Sequence, residues 1–331
     1  VKSKKLRVHF QSNPKAPMVF QVTTERYESA AKRHRDVAAQ VNATIGTDRD
    51  TFFTVMKEVD VLVGWRFPWE NVDKYASRLK WIHVWGAGVE HLLPLDWLPK
   101  DVVLTNNSGV HAPKAGEYIT MALLMLNNRI PTLVTNQQRA EWNEIFSTCI
   151  AGKTLAVIGV GHMGGTAAKA AKTLGMYVLG VRRTKRAHRY VDEMFGVDEL
   201  EKVLPRADFV IVTTPLTHET MNLLGRKELD AMKPQAGLVN LARAQVVDYK
   251  ALVEKLRGGE LSGAILDVFD PEPLPSSSPL WRTPNLIMTP HVASDDWDEY
   301  MPRTLDLVFE NLRRLLAGKP LKNRVRRSLG Y

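Results

Sequence analysis

A chain of 331 residues, 44% apolar and 24% charged, has room for two domains and a sizeable core, which excludes a disordered or fibrous protein and any need for metal or disulfide staples. The single cysteine, Cys149, excludes an internal disulfide and fits a reducing compartment, while the longest strongly apolar stretch, Ile119–Leu126, is far too short to span a bilayer. The net charge of +9 gathers at Lys2–Arg7, Arg182–Arg189 and Lys319–Arg327, but no nucleic-acid motif or interleaved aromatics accompany these clusters, so no nucleic-acid partner is expected. Val1–Arg7 is basic with no apolar run behind it, so neither a signal peptide nor a membrane association is expected, and a cytoplasmic location follows.

In chain order, short apolar runs alternate with amphipathic stretches, the pattern of parallel sheets covered by helices. The first strands are expected at Leu6–Phe10, Val61–Gly64, Trp81–Trp85 and Val102–Thr105. From Pro113 to about Asn128 the period becomes helical, with Ala115, Ile119, Ala122, Leu123 and Leu126 on one face. A second series follows at Thr154–Gly159, Tyr177–Val181, Phe209–Thr213, Gly237–Leu241, Ala264–Val268 and Leu286–Thr289, the six strands of a dinucleotide-binding domain. A last helix is expected from about Pro302 to Leu316. The first series and this helix form one discontinuous α/β domain, residues 1–109 plus 296–331, and the second series forms an inserted domain, residues 110–295. Hinges are expected near Asn107–Ala112 and Ala293–Trp297.

The strand Thr154–Gly159 runs straight into Gly159-Val160-Gly161-His162-Met163-Gly164 and an alanine-rich helix. The first glycine permits a tight turn, the second lets a pyrophosphate approach the backbone, and the third lets helix pack on strand. Amide groups at the start of that helix then hold phosphate. Eighteen residues past Gly164, where an NAD enzyme usually carries Asp or Glu for the ribose 2′-hydroxyl, the chain has Arg182-Arg183-Thr184. Guanidinium forks and a hydroxyl suit a 2′-phosphate, so NADP, as NADPH, is favoured over NAD.

Three later segments each end a buried strand with polar residues: Asn240-Leu241-Ala242-Arg243, Asp267 to Asp270-Pro271-Glu272-Pro273, and Thr289-Pro290-His291. Arg243 is 29 residues before Glu272, and Glu272 is 19 before His291. With the glycine fingerprint, these motifs in this order resemble the D-isomer-specific 2-hydroxyacid dehydrogenase family over nearly the whole chain. The basic segment at 182–184 is similar to the glyoxylate/hydroxypyruvate reductase branch, whose members commonly use NADPH.

The resemblance implies a flavodoxin-like substrate domain, an inserted Rossmann domain, and a cleft between them that closes on a keto acid. It implies that His291 is the general acid for the keto oxygen, that Glu272 fixes and supports its imidazole, and that Arg243 binds the substrate carboxylate and polarises the carbonyl. It assigns backbone amides of Gly86, Ala87, Gly88 and Val89 to the same carboxylate. Thr213, Thr214 and Pro215 would border the adenosine, Leu241 and Ala242 the cofactor, and Asp267 the nicotinamide carboxamide. Trp65 either faces the active site or packs, and Trp297 and Tyr300 either close the pocket or cover the hinge. Trp142 falls in a stretch that resembles the family's dimer-contact segment, which implies a homodimer. Physiological reduction to the D-hydroxy acid is expected, with the keto acid itself left open. Three departures stand out: Ala244 where the family usually has glycine, Glu90 where aspartate is common, and Ala293-Ser294-Asp295-Asp296-Trp297, which follows no family pattern. The runner-up reading is a corepressor-like protein that senses NAD(P)H with the same fold.

Overall fold

The computed structural model describes residues 5–331, so the start of the basic cluster Lys2–Arg7 lies outside the described residues. The chain divides into two compact units, one made of the described residues up to His111 with Asp295–Tyr331, the other of Ala112–Ser294.

In the first unit the strands are β1 (Leu6–Gln11), β2 (Val41–Gly46), β3 (Val61–Gly64), β4 (Trp81–Val84) and β5 (Val103–Thr105). They form one parallel sheet in the order β2-β1-β3-β4-β5, the flavodoxin-like order. β3 and β4 are buried along their whole length, which is why they read as continuous apolar runs. One face is covered by the helix Tyr300–Leu316, whose Tyr300, Met301, Leu305, Val308, Phe309 and Leu312 recur at helical spacing and join Phe10, Val61 and Val63 in one core. That helix begins two residues before Pro302. A proline in the first turn is tolerated because its missing N–H would have no intrahelical acceptor there. The opposite face is filled by Phe52, Met56, Leu62, Ile82, Leu92 and Leu104.

The second unit carries β6 (Thr154–Ile158), β7 (Tyr177–Val181), β8 (Glu193–Phe195), β9 (Phe209–Val212), β10 (Gly237–Asn240), β11 (Gly263–Leu266) and β12 (Leu286–Met288). All pairings are parallel, in the order β12-β11-β10-β9-β6-β7-β8. The strand order reverses between β6 and β9, so ligands are expected beyond the carboxyl ends of these two strands. The helix Ala112–Asn127 buries Ala115, Ile119, Ala122, Leu123 and Leu126, the face read from its periodicity.

Two strands were not expected from the sequence, β2 and β8, so the second sheet has seven strands rather than six. Both lie at sheet edges and are only partly buried, so neither needs the continuous apolar run that marks an interior strand. Among the described residues no helix is long and apolar enough to cross a membrane.

Candidate active site

The turn after β6 is built by three glycines in three different ways. Gly159 has φ +105°, and a Cβ there would lie 2.7–2.9 Å from Thr214 and the Thr213 carbonyl carbon, so conformation and space both require glycine. Gly164 packs the helix His162–Thr173 on the turn, since a Cβ on it would meet the Gly159 oxygen at 2.1 Å. Gly161 has nothing within 4 Å of its would-be Cβ, leaving open space beside the backbone at the helix start. His162 and Met163 open that helix. Across the strand reversal, Thr213 donates from Oγ1 to the Gly159 oxygen at 2.8 Å, and the Oγ1 of Thr214 is buried without a hydrogen-bond partner among the described residues. An open glycine, a helix N-terminus and an unsatisfied buried hydroxyl fit a dinucleotide's phosphates and ribose. Pro215 follows directly and accepts on its oxygen from Thr220.

Beyond β7, Arg182 is half-buried and donates its backbone N–H to Phe195, while Arg183 and Thr184 are exposed. The loop then brings His188 against the helix, with its Nε2 2.9 Å from where a Cβ on Gly165 would stand. Partial burial holds His188 below the ordinary histidine range, and the positive charges of Arg182 and Arg189 push the same way. The loop is therefore an electropositive rim suited to an anion. Sequence reasoning passed over His188 because one histidine among arginines carries no motif.

Asn240, fully buried at the end of β10, shapes the next segment. Its Oδ1 accepts from Ala242 N at 2.9 Å, and its Nδ2 donates to the Arg243 oxygen and the Tyr249 hydroxyl. This folds Leu241–Arg243 back over the strand end, and Arg243 donates to the Ala242 oxygen at 2.7 Å. Arg243 is in extended backbone (φ −141°, ψ 151°) and Ala244 opens a 3-10 turn outside the left-handed region, so the methyl group that replaces the family's glycine meets no backbone penalty.

Glu272 and His291 come together. Nδ1 of His291 lies 2.8 Å from Oε2 of Glu272, and Oε1 of Glu272 accepts from Phe269 N at 2.8 Å. A carboxylate only accepts, so Nδ1 carries a hydrogen, and Nε2 is the ring nitrogen that Glu272 does not engage. His291 itself sits at φ +56°, a conformation that costs a non-glycine residue about 1 kcal/mol or more. Asp267, 3% exposed, holds it there: its oxygens accept from Val292 N at 3.0 Å and from Ala293 N at 3.1–3.2 Å. Thr289 also donates to Asp267, at 2.6 Å, and so must accept from the Tyr118 hydroxyl at 2.7 Å. Burial raises the Asp267 carboxyl above the ordinary range, and the hydrogen bonds from Thr289 and the backbone, with nearby His291, offset this only in part. Burial also pushes Tyr118 up to about 12, so it stays a hydroxyl donor at neutral pH. The structure thus places Asp267 as the anchor of the histidine loop, a role its sequence position did not reveal.

In the first unit, the loop after β4 carries Gly86, Ala87, Gly88 and Val89. The Trp65 ring lies on Gly86, 2.0–2.8 Å from where a Cβ would stand, and His91 donates to the Trp65 oxygen at 2.9 Å. Trp65 is therefore at least a packing residue of this loop. Glu90 opens a 3-10 turn, Glu90–Leu92. Tyr300 is 3% exposed, its hydroxyl donating to the Trp85 oxygen, whereas Trp297 is 64% exposed.

Residues 120–293 match the family model described as D-isomer specific 2-hydroxyacid dehydrogenase, NAD binding domain. A D-3-phosphoglycerate dehydrogenase of Methanocaldococcus jannaschii is 32% identical over 311 residues, covering 91% of this chain, and the chain spans 58% of that relative's length. A glyoxylate reductase of Thermococcus litoralis is 30% identical over 296 residues, 85% of this chain and 88% of the relative. Among solved structures, a D-isomer specific 2-hydroxyacid dehydrogenase from Xanthobacter autotrophicus Py2, in complex with NADPH and MES, is 30% identical and superposes with a TM-score of 0.82 over 99% of this chain and 100% of that one.

Proposed function

Because this chain belongs to the D-isomer-specific 2-hydroxyacid dehydrogenase family, a family of NAD(P)-binding oxidoreductases, we propose that it reduces a small 2-keto acid of the glyoxylate or hydroxypyruvate class to the D-2-hydroxy acid with NADPH. The observation that carries the reading is the His291–Glu272 pair, 2.8 Å apart at the carboxyl end of a strand in the dinucleotide-type sheet.

The chemistry follows from these groups. Glu272 accepts from Nδ1, so the protonated ring presents its Nε2–H to the keto oxygen and gives up that proton as the oxygen gains charge. Glu272 then keeps the ring oriented for the next turnover. Arg243 takes the substrate carboxylate and polarises the carbonyl, a stabilisation that grows as negative charge builds on oxygen. Amides of Gly86–Val89 take the carboxylate as well. Asp267 keeps the backbone at 291–293 in place, so the acid arrives in one geometry.

The dinucleotide, when bound, supplies the hydride. Gly159, Gly161, His162, Met163 and Gly164 would hold its pyrophosphate, and Thr213, Thr214 and Pro215 the adenosine side. Leu241, Ala242 and Asp267 would take the nicotinamide end. Arg182, Arg183 and Thr184 would take a 2′-phosphate, a preference supported by the absence of a carboxylate directly after β7 and by the bound NADPH named for the Xanthobacter structure. The same reading takes the protein as a homodimer. Trp142 and Phe146, 93% and 88% exposed on this chain, are the side chains that would gain most from a second copy.

The test follows loss of reduced-nicotinamide absorbance with NADPH or NADH and a panel of 2-keto acids. NADPH oxidation with glyoxylate or hydroxypyruvate is expected. Arg182→Ala should raise KM for NADPH about 10-fold or more while leaving NADH unaffected. Activity with NADH alone overturns the cofactor assignment. Tight nucleotide binding with no turnover of any keto acid overturns the enzyme reading in favour of a sensor.

A further inference from the structure

The loop after β4 is hydrogen-bonded to the rest of its unit through its carbonyls. The Trp85 oxygen accepts from Asn107 Nδ2 at 3.0 Å and from the Tyr300 hydroxyl. The Gly86 oxygen accepts from Asn107 N at 2.9 Å, and the Ala87 oxygen from Asn106 Nδ2 at 2.7 Å. Three successive carbonyls are thus held from residues that are 6%, 0% and 3% exposed at Asn106, Asn107 and Tyr300.

These anchors are themselves fixed. Asn107 Nδ2 also donates to Thr304 Oγ1 at 2.7 Å, on the same helix as Tyr300. Asn106 Oδ1 accepts from Ser108 N at 3.2 Å, which sets the amide so that its nitrogen faces Ala87.

A trans peptide points its C=O and the following N–H in opposite directions. Fixing the oxygens of Trp85, Gly86 and Ala87 inward therefore turns outward the N–H groups of Gly86, Ala87 and Gly88. Among the described residues, none of these three amides donates a hydrogen bond to the protein. Three outward donors in a row, with no side chain larger than a methyl group between Gly86 and Gly88, form a concave amide nest for a carboxylate.

We propose that Asn106, Asn107 and Tyr300 are positioning residues that aim the amides of Gly86, Ala87 and Gly88 at the carboxylate of the 2-keto acid, and so set the enzyme's affinity for that substrate. The inference rests on the function proposed above. It gives Tyr300 a buried supporting role in place of a lid, and it assigns a task to two asparagines that no motif marks.

Two variants test it with little change of shape. Asn106→Asp removes the donor to Ala87 and keeps the acceptor for Ser108; Tyr300→Phe removes the donor to Trp85. Each should raise KM for glyoxylate or hydroxypyruvate about 10-fold. Neither should alter kcat by more than about twofold, nor KM for NADPH, because a substrate-binding contact has been loosened rather than a transition-state group lost. Hydrogen exchange at the Asn107 amide, which donates to the Gly86 oxygen, should become faster in both variants as the loop loosens. Unchanged keto-acid KM with unchanged exchange overturns the proposal. So does a joint fall of kcat, NADPH affinity and thermal midpoint, which would mark these as ordinary structural bonds. If the native protein reduces no keto acid, the functional reading fails, and the exchange measurement still decides whether Asn106 and Tyr300 hold the loop in place.

Discussion

On the proposed reading, the turn after β6 and the loop after β4 each receive an anion, by different means. Each follows a buried parallel strand and presents backbone N–H groups beyond its carboxyl end. After β6, direction comes from within: Gly159 adopts φ +105°, Gly164 lets the helix close on the turn, and twelve helical residues follow at once. After β4 only the short 3-10 turn Glu90–Leu92 follows, too brief to align anything. Direction is imported there, from Asn106 and Asn107 about twenty residues on and from Tyr300, 215 residues away from the carbonyl it holds. An anion site built from a local motif depends on what its glycines lack. One built from distant anchors depends on what other segments bring.

Substitutions at three glycines break or sharpen that contrast. Gly164→Ala should be the most damaging, because its methyl group meets a backbone oxygen at 2.1 Å that no rotamer change can move. A loss of about 2–3 kcal/mol, read as a lower thermal midpoint, together with loss of nucleotide binding, is expected. A midpoint like that of the native protein would show that the helix does not rely on this contact. Gly86→Ala should cost less, about 1–2 kcal/mol, since the clash is with the Trp65 ring, which can swing aside. Its signature is a rise in keto-acid KM together with a change in Trp65 fluorescence, and an unchanged spectrum would count against the packing of ring on loop. Gly161→Ala should leave stability within about 0.5 kcal/mol because nothing lies near the added methyl, yet weaken NADPH binding about 10-fold by filling the space the phosphates need. Full affinity in that variant would remove Gly161 from the cofactor site.

The same contrast explains what could be read from the sequence. The glycine fingerprint, the helix face Ala115–Leu126 and the interior strands β3, β4, β6 and β9 are local signals, and each stands out as a continuous run or a fixed spacing. The Glu272–His291 contact was expected only through the family resemblance carried by the Asp270–Pro273 and Thr289–His291 motifs, since strand position alone leaves Glu272 a turn residue. The edge strands β2 and β8 were not legible, since half-exposed strands carry no long apolar run. The chain Tyr118–Thr289–Asp267 was hidden because it joins residues up to 171 apart through a threonine whose role depends on having both neighbours. The carbonyl anchors were hidden for the same reason: asparagine is so common in loops that only contact reveals its work.

The helix Tyr300–Leu316 also has a consequence during synthesis. It completes the core around Phe10 and Val61, yet it leaves the ribosome about 195 residues after the end of β5. At about 5–20 residues per second, the first sheet waits roughly 10–40 s with that face only partly covered, by Val19, Val22, Ala30 and Val37, while the contiguous second unit can already fold. The nascent first unit thus exposes apolar surface for the longest time, and the segment that completes its cover is also the one that brings Tyr300 to the loop after β4.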